Sequence, residues 1–418
     1  MKIKNAEILC VGTELLLGEV VNTNAAYISR ELAKLGISVY HTSVVGDNPS
    51  RLSEAVKTAL KNADLLVLSG GLGPTYDDLT KETVAEVLSL PMVRDENILR
   101  EIEDFFAGIG VKMPPNNAKQ ADIPMGAIAL KNRTGTAPGI YIEKGEKVVI
   151  LLPGPPFELI PMFEEFAFPR LREMSDKVLV SHNIHIMGMG ESEVETHLIN
   201  LMKNSTNPTL APYAKEGEMR LRVGALVSDE AEGERMCAEM IEKVKSTPVG
   251  EHIYAIDAEL IEKLLVSMLK EKGLTLSCAE SCTGGYFGKR ITDVPGASWV
   301  FKGGFITYTN EAKIELLGVN PETLEKHTAV SPETAEEMAI GAKNRLKTDI
   351  AISITGEAGP VPDPTTKQDV GTVFIGIATN EKIFSVKLNV ARKRDREYIR
   401  RVASSRAMKE IIKIIGNF

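Results

Sequence analysis

Residues 64–78 read DLLVLSGGLGPTYDD. The run 64–69 is short and apolar, the texture of a strand buried on both faces. Three glycines, Gly70, Gly71 and Gly73, then break it, and a helical pattern begins at Asp78 and reaches Leu88. Strand, glycine-rich loop and helix make a βα unit whose loop sits at the strand's carboxyl end, where open α/β sheets bind ligands.

The same alternation recurs on both sides of this unit. Residues 6–12 and 38–45 read as strands, 24–35 and 51–61 as helices. Residues 147–152 (KVVILL) form another apolar strand, followed by 153–156 (PGPP) and a helix near 157–166. Such alternation predicts a doubly wound, mostly parallel sheet with helices on both faces. Residues 175–250 differ, with two strand–helix units (178–187, 191–203; 219–227, 230–245) that predict a small α+β module. The remainder is α/β again, with helices at 258–272, 284–291, 332–347 and 395–415 and strands at 274–278, 305–309, 350–355 and 372–378. A chain of 418 residues is expected to hold two to four domains. The texture changes divide it into 1–170, 171–252 and 253–418.

The composition excludes several classes of function. Apolar residues make up 43% and charged residues 25%, the balance of a soluble globular chain. The formal charge of −8 opposes wholesale nucleic-acid binding but permits local basic pockets for phosphates. One Trp and 5% aromatics leave little for stacking single strands. Four scattered cysteines, Cys10, Cys237, Cys278 and Cys282, make no disulfide framework. With no leader pattern and no long apolar run, the expectation is a cytoplasmic protein without a membrane partner.

Four loops follow strands in the first part: Gly12-Thr13-Glu14, Gly46-Asp47-Asn48, Ser69 to Asp78, and Pro153-Gly154-Pro155-Pro156. A parallel sheet would bring all four to one edge. Glycines admit backbone N–H groups close to an anion, and the following helix offers its positive end. Asp77 and Asp78 would repel a phosphate directly, so a divalent cation such as magnesium is expected between them, with Glu14 and Asp47 as further ligands. The competing reading is a turn in which Asp78 caps the helix with Thr75. Asn116 and Asn117 read as turn residues.

In the last part, Cys278-Ala279-Glu280-Ser281-Cys282-Thr283-Gly284-Gly285 ends a strand and opens a helix. Free N–H groups at such a turn can hold an oxyanion. Ser281 needs a base; His327 is the domain's lone histidine, and Lys313 begins a helix after 303–309. Desolvation and the helix dipole would both lower an amine's pKa toward basic function. Tyr308 and Asn310 are placed to orient Lys313 or to touch substrate. The competing reading makes Ser281 a cap and Lys313 a solvated surface lysine. Cys278 and Cys282 offer a nucleophile or a metal pair, although C-x-x-x-C without further ligands is a poor zinc site. Residues 354–360 (ITGEAGP) place glycines at another strand end. Residues 391–401 (ARKRDREYIRR) carry six basic residues against two acidic ones, with Arg394 the phosphate-clamp candidate.

GTELLLGEVVNTN (12–24), SGGLGPTYDDLTKE (69–82) and LPGPPFE (152–158) resemble the molybdopterin-binding fold of MoaB, MogA and the first part of CinA proteins. The resemblance implies a nucleotide pocket of Gly12, Thr13, Glu14, Ser69, Gly70, Gly71, Gly73, Pro74, Thr75, Pro153 and Gly154. It also implies hydrolysis of ADP-ribose to AMP and ribose 5-phosphate with divalent metal. AESCTGG (279–285), GGFITYTNEAK (303–313) and ITGEAGP (354–360) resemble the CinA carboxyl-terminal family, the nicotinamide mononucleotide deamidases also called PncC. That likeness implies a cofactor-free hydrolysis of nicotinamide mononucleotide to nicotinate mononucleotide and ammonia. Ser281 would be the nucleophile, Lys313 its base and Tyr308 their support, with N–H groups around Thr283 and Gly284 holding the oxyanion. Substrate contacts would come from Glu280, Thr283, Gly284, Gly285, Gly304, Asn310, Gly356, Ala358, Gly359 and Arg394. The basic segment departs from the family's Gly-Asp-Arg pattern, reading Arg392-Lys393-Arg394-Asp395.

The resulting expectation is an α/β chain of three parts: a MoaB-like domain, a small KH-type-like α+β connector and a deamidase domain. Gly188-Met189-Gly190-Glu191 places an acid where an RNA-binding loop favours a base, so no nucleic acid is expected, and the connector is read as structural or homodimer-forming. The alternatives are a protein that binds or adenylylates molybdopterin, and a non-enzymatic competence or DNA-damage accessory protein.

Overall fold

The computed structural model describes residues 2–215, 218–390 and 394–416. These divide into two compact units, Met1–Val180 with Ala225–Met236, and Ser181–Gly224 with Cys237–Phe418.

In the first unit, strands β1 (Asn5–Val11), β2 (Ser38–Val45) and β3 (Leu65–Ser69) precede a short pair, β4 (Met92–Arg94) and β5 (Asp122–Pro124). β6 (Ile128–Leu130), β7 (Gly139–Lys144) and β8 (Lys147–Leu152) complete the set. The main sheet runs β2-β1-β3-β8-β7-β6. Its first four strands are mutually parallel, while β7 and β6 return antiparallel. Alternate residues of each central strand enter different cores. Ile8, Cys10, Leu65, Val67, Val148 and Ile150 pack on one face, and Leu9, Val11, Leu66, Leu68, Val149 and Leu151 on the other. Helices therefore cover both faces, as the apolar runs require.

Local chemistry sets the helix ends. The Asn22 side chain accepts from Ala25 N to start helix Thr23–Lys34. Asn48 does the same for helix Pro49–Asn62, with proline at its first position.

Strands β9 (Val178–Ile186), β10 (Thr209–Lys215), β11 (Glu218–Val227) and β12 (Ile253–Ile256) form a sheet ordered β10-β11-β9-β12. Helices Glu191–Asn204 and Glu230–Lys245 accompany it. β10 and β12 are strands that the sequence pattern did not single out.

The remaining sheet runs β14 (Phe301–Ile306), β13 (Leu276–Glu280), β15 (Ile350–Gly356), β16 (Thr372–Ala378) and β17 (Ile383–Asn389). β14, β13 and β15 are parallel, and β16 and β17 turn back antiparallel. Two shifts from the sequence reading matter for the site. β13 ends at Glu280 rather than Cys278, and β14 ends at Ile306 rather than Thr309. Ser281 and Thr307 are thus the first residues past adjacent parallel strands.

Candidate functional site

The carboxyl ends of β14, β13 and β15 bring three loops to one edge. Ser281 follows β13 and is held there by its own N–H, which donates to Ile354 O at 2.9 Å. Thr309 caps helix Asn310–Leu317 through Ala312 N, which places Lys313 in that helix's first turns. Its side chain is 1% exposed. Lys313 Nζ donates to Ser281 Oγ at 3.3 Å and to Thr307 O at 2.9 Å. Burial lowers its pKa to about 8, because a desolvated ammonium is disfavoured against the neutral amine. A lysine in this state can take a proton from the serine it touches.

Glu280, expected among the substrate contacts, is engaged within the protein. It is 1% exposed. Oε2 accepts from Gly285 N and Phe287 N at 3.0 Å each, and Oε1 from Gly288 N at 2.9 Å. The carboxylate thus caps helix Tyr286–Thr292 and fixes the Ser281 turn. Gly284 and Gly285 adopt φ of 55° and 91°, left-handed values that favour glycine. Of the two expected oxyanion donors, Gly284 N already donates to Ser281 O at 3.1 Å, whereas Thr283 N has no acceptor among the described residues. The hydroxyls of Thr283 and Thr307 are buried without a hydrogen-bond partner. Buried polar groups are normally paired, and these two are left unsatisfied beside Ser281 and Lys313.

Tyr308 is 60% exposed, and its Oη accepts from Arg396 Nη2 at 2.8 Å. Arg396 Nη1 also donates to Gly359 O at 2.7 Å, tying two of the loops. Arg400 Nη2 donates to Thr283 O at 2.6 Å. Arg396 and Arg400 lie one turn apart on helix Arg396–Gly416. That i, i+4 spacing was the signal that would have favoured them over Arg394. Arg394 itself is exposed, its guanidinium 4.7 Å from the centre of the Tyr398 ring. Arg392 and Lys393 lie outside the described residues.

Gly304 pairs in register with Cys278, and a Cβ on it would lie 2.3 Å from Cys278 Sγ. Its smallness serves strand packing. Gly356 likewise abuts Thr372 O at the end of β15. Ala358 is buried and Asn310 exposed. His327 faces Glu333 at 3.3 Å. Both flanking thiols are free and buried. Burial raises Cys282 to about 12, and burial with the nearby Glu280 carboxylate raises Cys278 well above the ordinary range. Neither supplies thiolate at neutral pH.

In the first unit, the loops after β1, β2, β3 and β8 line one cavity of about 550 Å³. Gly12, Glu14, Asp47, Gly70, Gly71, Gly73, Pro74, Thr75, Asp77, Asp78, Pro153 and Gly154 all border it. Asp47 Oδ2 accepts from Thr13 N and Thr13 Oγ1 at 3.0 and 2.8 Å, joining two loops. Asn24 Nδ2 joins two more, donating to Ser69 Oγ and Gly154 O at 2.9 and 2.7 Å. Thr75 N donates to Asp78 Oδ2 at 2.9 Å, and the Thr75 hydroxyl bonds both Asp77 and Asp78. The Thr75 hydrogen bond holds the exposed Asp77 carboxyl below the usual range.

Lys119 Nζ donates to Thr75 O at 3.1 Å and to Asp78 O, and Asn116 Nδ2 to Pro74 O at 3.3 Å. Asn24 and Lys119 are site residues that sequence reading missed; Asn116 was read only as a turn. Lys119 has no sequence signal, since a distant segment supplies it. Thr80 Oγ1 is buried without a partner close to Gly71.

No three His, Cys, Asp or Glu among the described residues are gathered to hold a metal unaided. The donors present are hard carboxylates around one cavity, those of Glu14, Asp47 and Asp77 exposed and that of Asp78 half-buried. That set fits magnesium, which takes one or two carboxylates and completes its shell with water and substrate phosphate.

Fold and sites together define a multidomain α/β protein with separate ligand-competent loop clusters at two parallel-strand edges. Residues 258–415 match the family described as "CinA C-terminal domain", 7–173 the "Probable molybdopterin binding domain" and 181–255 the "Damage-inducible protein CinA KH domain". The chain belongs to the CinA family. It is 49% identical over 99% of its length to the whole of a "Putative competence-damage inducible protein" of Caldicellulosiruptor saccharolyticus. It is 48% identical to a protein of the same name from Caldanaerobacter subterraneus, over 93% of this chain and 94% of the other. A CinA crystal structure from Thermoplasma acidophilum, of unknown function, is 38% identical over 40% of this chain and 99% of its own, with a TM-score of 0.38.

Proposed function

We propose that the chain is a bifunctional hydrolase of pyridine-nucleotide metabolism. Its carboxyl-terminal domain converts nicotinamide mononucleotide to nicotinate mononucleotide and ammonia. Its amino-terminal domain cleaves ADP-ribose to AMP and ribose 5-phosphate with a divalent metal. The observation that carries the reading is the buried amine of Lys313 touching Ser281 Oγ at 3.3 Å.

In the deamidation, neutral Lys313 takes the Ser281 hydroxyl proton as Oγ attacks the amide carbon. The carbonyl oxygen becomes an oxyanion at the Thr283 N–H. Lys313 returns its proton to the amide nitrogen, the C–N bond breaks and ammonia leaves an ester on Ser281. Water, deprotonated by Lys313, attacks that ester, and the carboxylate product departs as Ser281 regains its proton. Arg396 and Arg400 supply guanidinium groups for the substrate's phosphate, with Arg394 farther out on the same segment; Tyr308 keeps Arg396 in place. No cofactor takes part.

In the amino-terminal domain, Asp77 and Asp78 would hold the metal, with Glu14 and Asp47 on the same cavity as further candidate ligands, and the glycine-rich loop would hold the phosphates. The metal would supply charge neutralisation of the pyrophosphate. We further place the protein in the cytoplasm as a homodimer without nucleic-acid partners. Among the described residues, no helix is long and apolar enough to cross a membrane.

The domain description at 7–173 favours a second reading for this unit, molybdopterin binding. One assay separates the two. Incubation with ADP-ribose and magnesium is expected to release AMP, and chelation with EDTA to stop it. A molybdopterin-binding domain would release none.

A further inference from the structure

Deamidation needs a nitrogen to leave and a water to arrive, and both exchange a proton with Lys313. The amide nitrogen takes one from Nζ, and the water gives one back. They therefore occupy one position in turn, in surroundings that admit little solvent: Ser281 is 9% exposed, Lys313 1% and Thr307 0%.

The fold brings the Thr307 side chain to that position. Ala279 pairs in register with Phe305, and both belong to a cluster with Ile314 and Leu317 of helix Asn310–Leu317. Side chains alternate along a strand, so Ser281 and Thr307, two residues on, face the same helix. The contacts agree: Lys313 of that helix donates to Ser281 Oγ at 3.3 Å and to Thr307 O at 2.9 Å. Thr307 N is also committed, donating to Glu280 O at 2.8 Å. The hydroxyl is not: Thr307 Oγ1 is buried without a hydrogen-bond partner. A hydroxyl left in that state costs stability, and valine would fill the same space without the cost. Thr283 carries another unpaired hydroxyl, but no hydrogen bond ties that residue to Lys313.

We infer that Thr307 is a catalytic residue of this reaction, whose Oγ1 accepts a hydrogen bond from the substrate's carboxamide nitrogen and then from the water that replaces the departing ammonia. One hydrogen of that water passes to Lys313 Nζ, and Thr307 Oγ1 holds the other. The water oxygen forms the new bond to carbon, the bond from carbon to Ser281 Oγ breaks, and Lys313 returns the proton to Oγ. The inference rests on the deamidase reading and adds to it the group that holds the nucleophile of the second half-reaction.

Thr307→Val and Thr307→Ser test it, with product release from nicotinamide mononucleotide followed alone and with added hydroxylamine. Hydroxylamine intercepts the ester on Ser281 and diverts the carboxylate product to a hydroxamate. As the stronger nucleophile it depends less on being held than water does. Thr307→Val is expected to lower kcat by about tenfold or more and to raise the hydroxamate-to-carboxylate ratio by about fivefold. Its melting temperature is expected to hold or rise, because an unpaired buried hydroxyl is gone. Thr307→Ser keeps the hydroxyl and should stay within about threefold of wild type in rate and in product ratio. Thr307→Ala covers a valine chain that fails to fold, and the same shift in ratio is expected of it. An unchanged ratio in the variants that lack the hydroxyl overturns the inference whatever their rate, because a merely misplaced Lys313 slows both nucleophiles alike. A Thr307→Ser as slow as Thr307→Val overturns it too. Wild type that releases no ammonia removes the deamidase reading itself, and the inference with it.

Discussion

Ser281 and Asp78 occupy comparable places in the chain: each lies in a glycine-containing loop past a buried strand of a parallel set. What surrounds them is opposite. Around Ser281 the polar groups are buried: Lys313 is 1% exposed, and Glu280 accepts from three N–H groups. Around Asp78 the carboxylates border an open cavity, and Asp77 and Asp78 take their hydrogen bonds from Thr75 of the same loop. One edge holds a buried amine against a serine hydroxyl. The other carries donors that become useful once a cation and a phosphate arrive. Under the proposed function, the same strand-end architecture would carry acyl transfer at one edge and metal-assisted phosphate chemistry at the other.

The two edges differ most at Lys313. Lys313→Met keeps the bulk but removes the base, and ammonia release from nicotinamide mononucleotide is expected to fall by about 10²–10⁴-fold. Release of AMP from ADP-ribose by the same variant should be unchanged. Asp77→Asn/Asp78→Asn should do the reverse, abolishing magnesium-dependent AMP release and sparing ammonia release. If either variant disables both reactions, the two edges are not independent.

A pH profile sharpens the contrast. Lys313 titrates at about 8 when folded against 10.5 for an ordinary lysine. Below about 8 it is protonated and cannot accept the serine proton, so deamidation should rise with pH through about 8 and level off above. Flat rates from pH 6 to 9 would contradict a buried lysine base.

A smaller effect is expected at the phosphate end. Arg400→Lys keeps a charge but loses the planar fork, so KM for nicotinamide mononucleotide should rise by about tenfold with kcat nearly held. The smallest effect falls at the thiols. Cys282→Ser should change deamidation by about twofold or less, because a thiol raised to about 12 contributes no thiolate. Strong loss there would move the nucleophile from Ser281 to its neighbour.

Much of the scaffold is legible in the sequence because many strands are rich in β-branched and apolar residues, several of them followed by glycine or proline. Residues 38–45, 147–152 and 372–378 fall on strands with the bounds the pattern gives. The edge strands β10, β12 and β17 are not so marked: partly exposed strands lose the unbroken apolar signal, and β10 contains Pro212. β14 was misplaced because Gly303 and Gly304 resemble a turn, whereas the structure uses Gly304 for close packing on Cys278.

At the site, Ser281 and Lys313 are readable from their helix-start positions, but not the burial that tunes the lysine. Glu280 looks like a ligand contact in sequence and is a helix cap in space. Arg396 and Arg400 share one helix face by their i, i+4 spacing, but only the structure shows that this face meets the Thr283 and Gly359 loops.

The most direct test of the central claim is ammonia release from nicotinamide mononucleotide by wild type and by Ser281→Ala, with AMP release from ADP-ribose followed in the same preparations. The expected result is release by wild type and none above background by Ser281→Ala, with AMP production equal in both. No release by wild type, or full release by Ser281→Ala, would contradict the assignment of Ser281 and Lys313 as a hydrolytic pair.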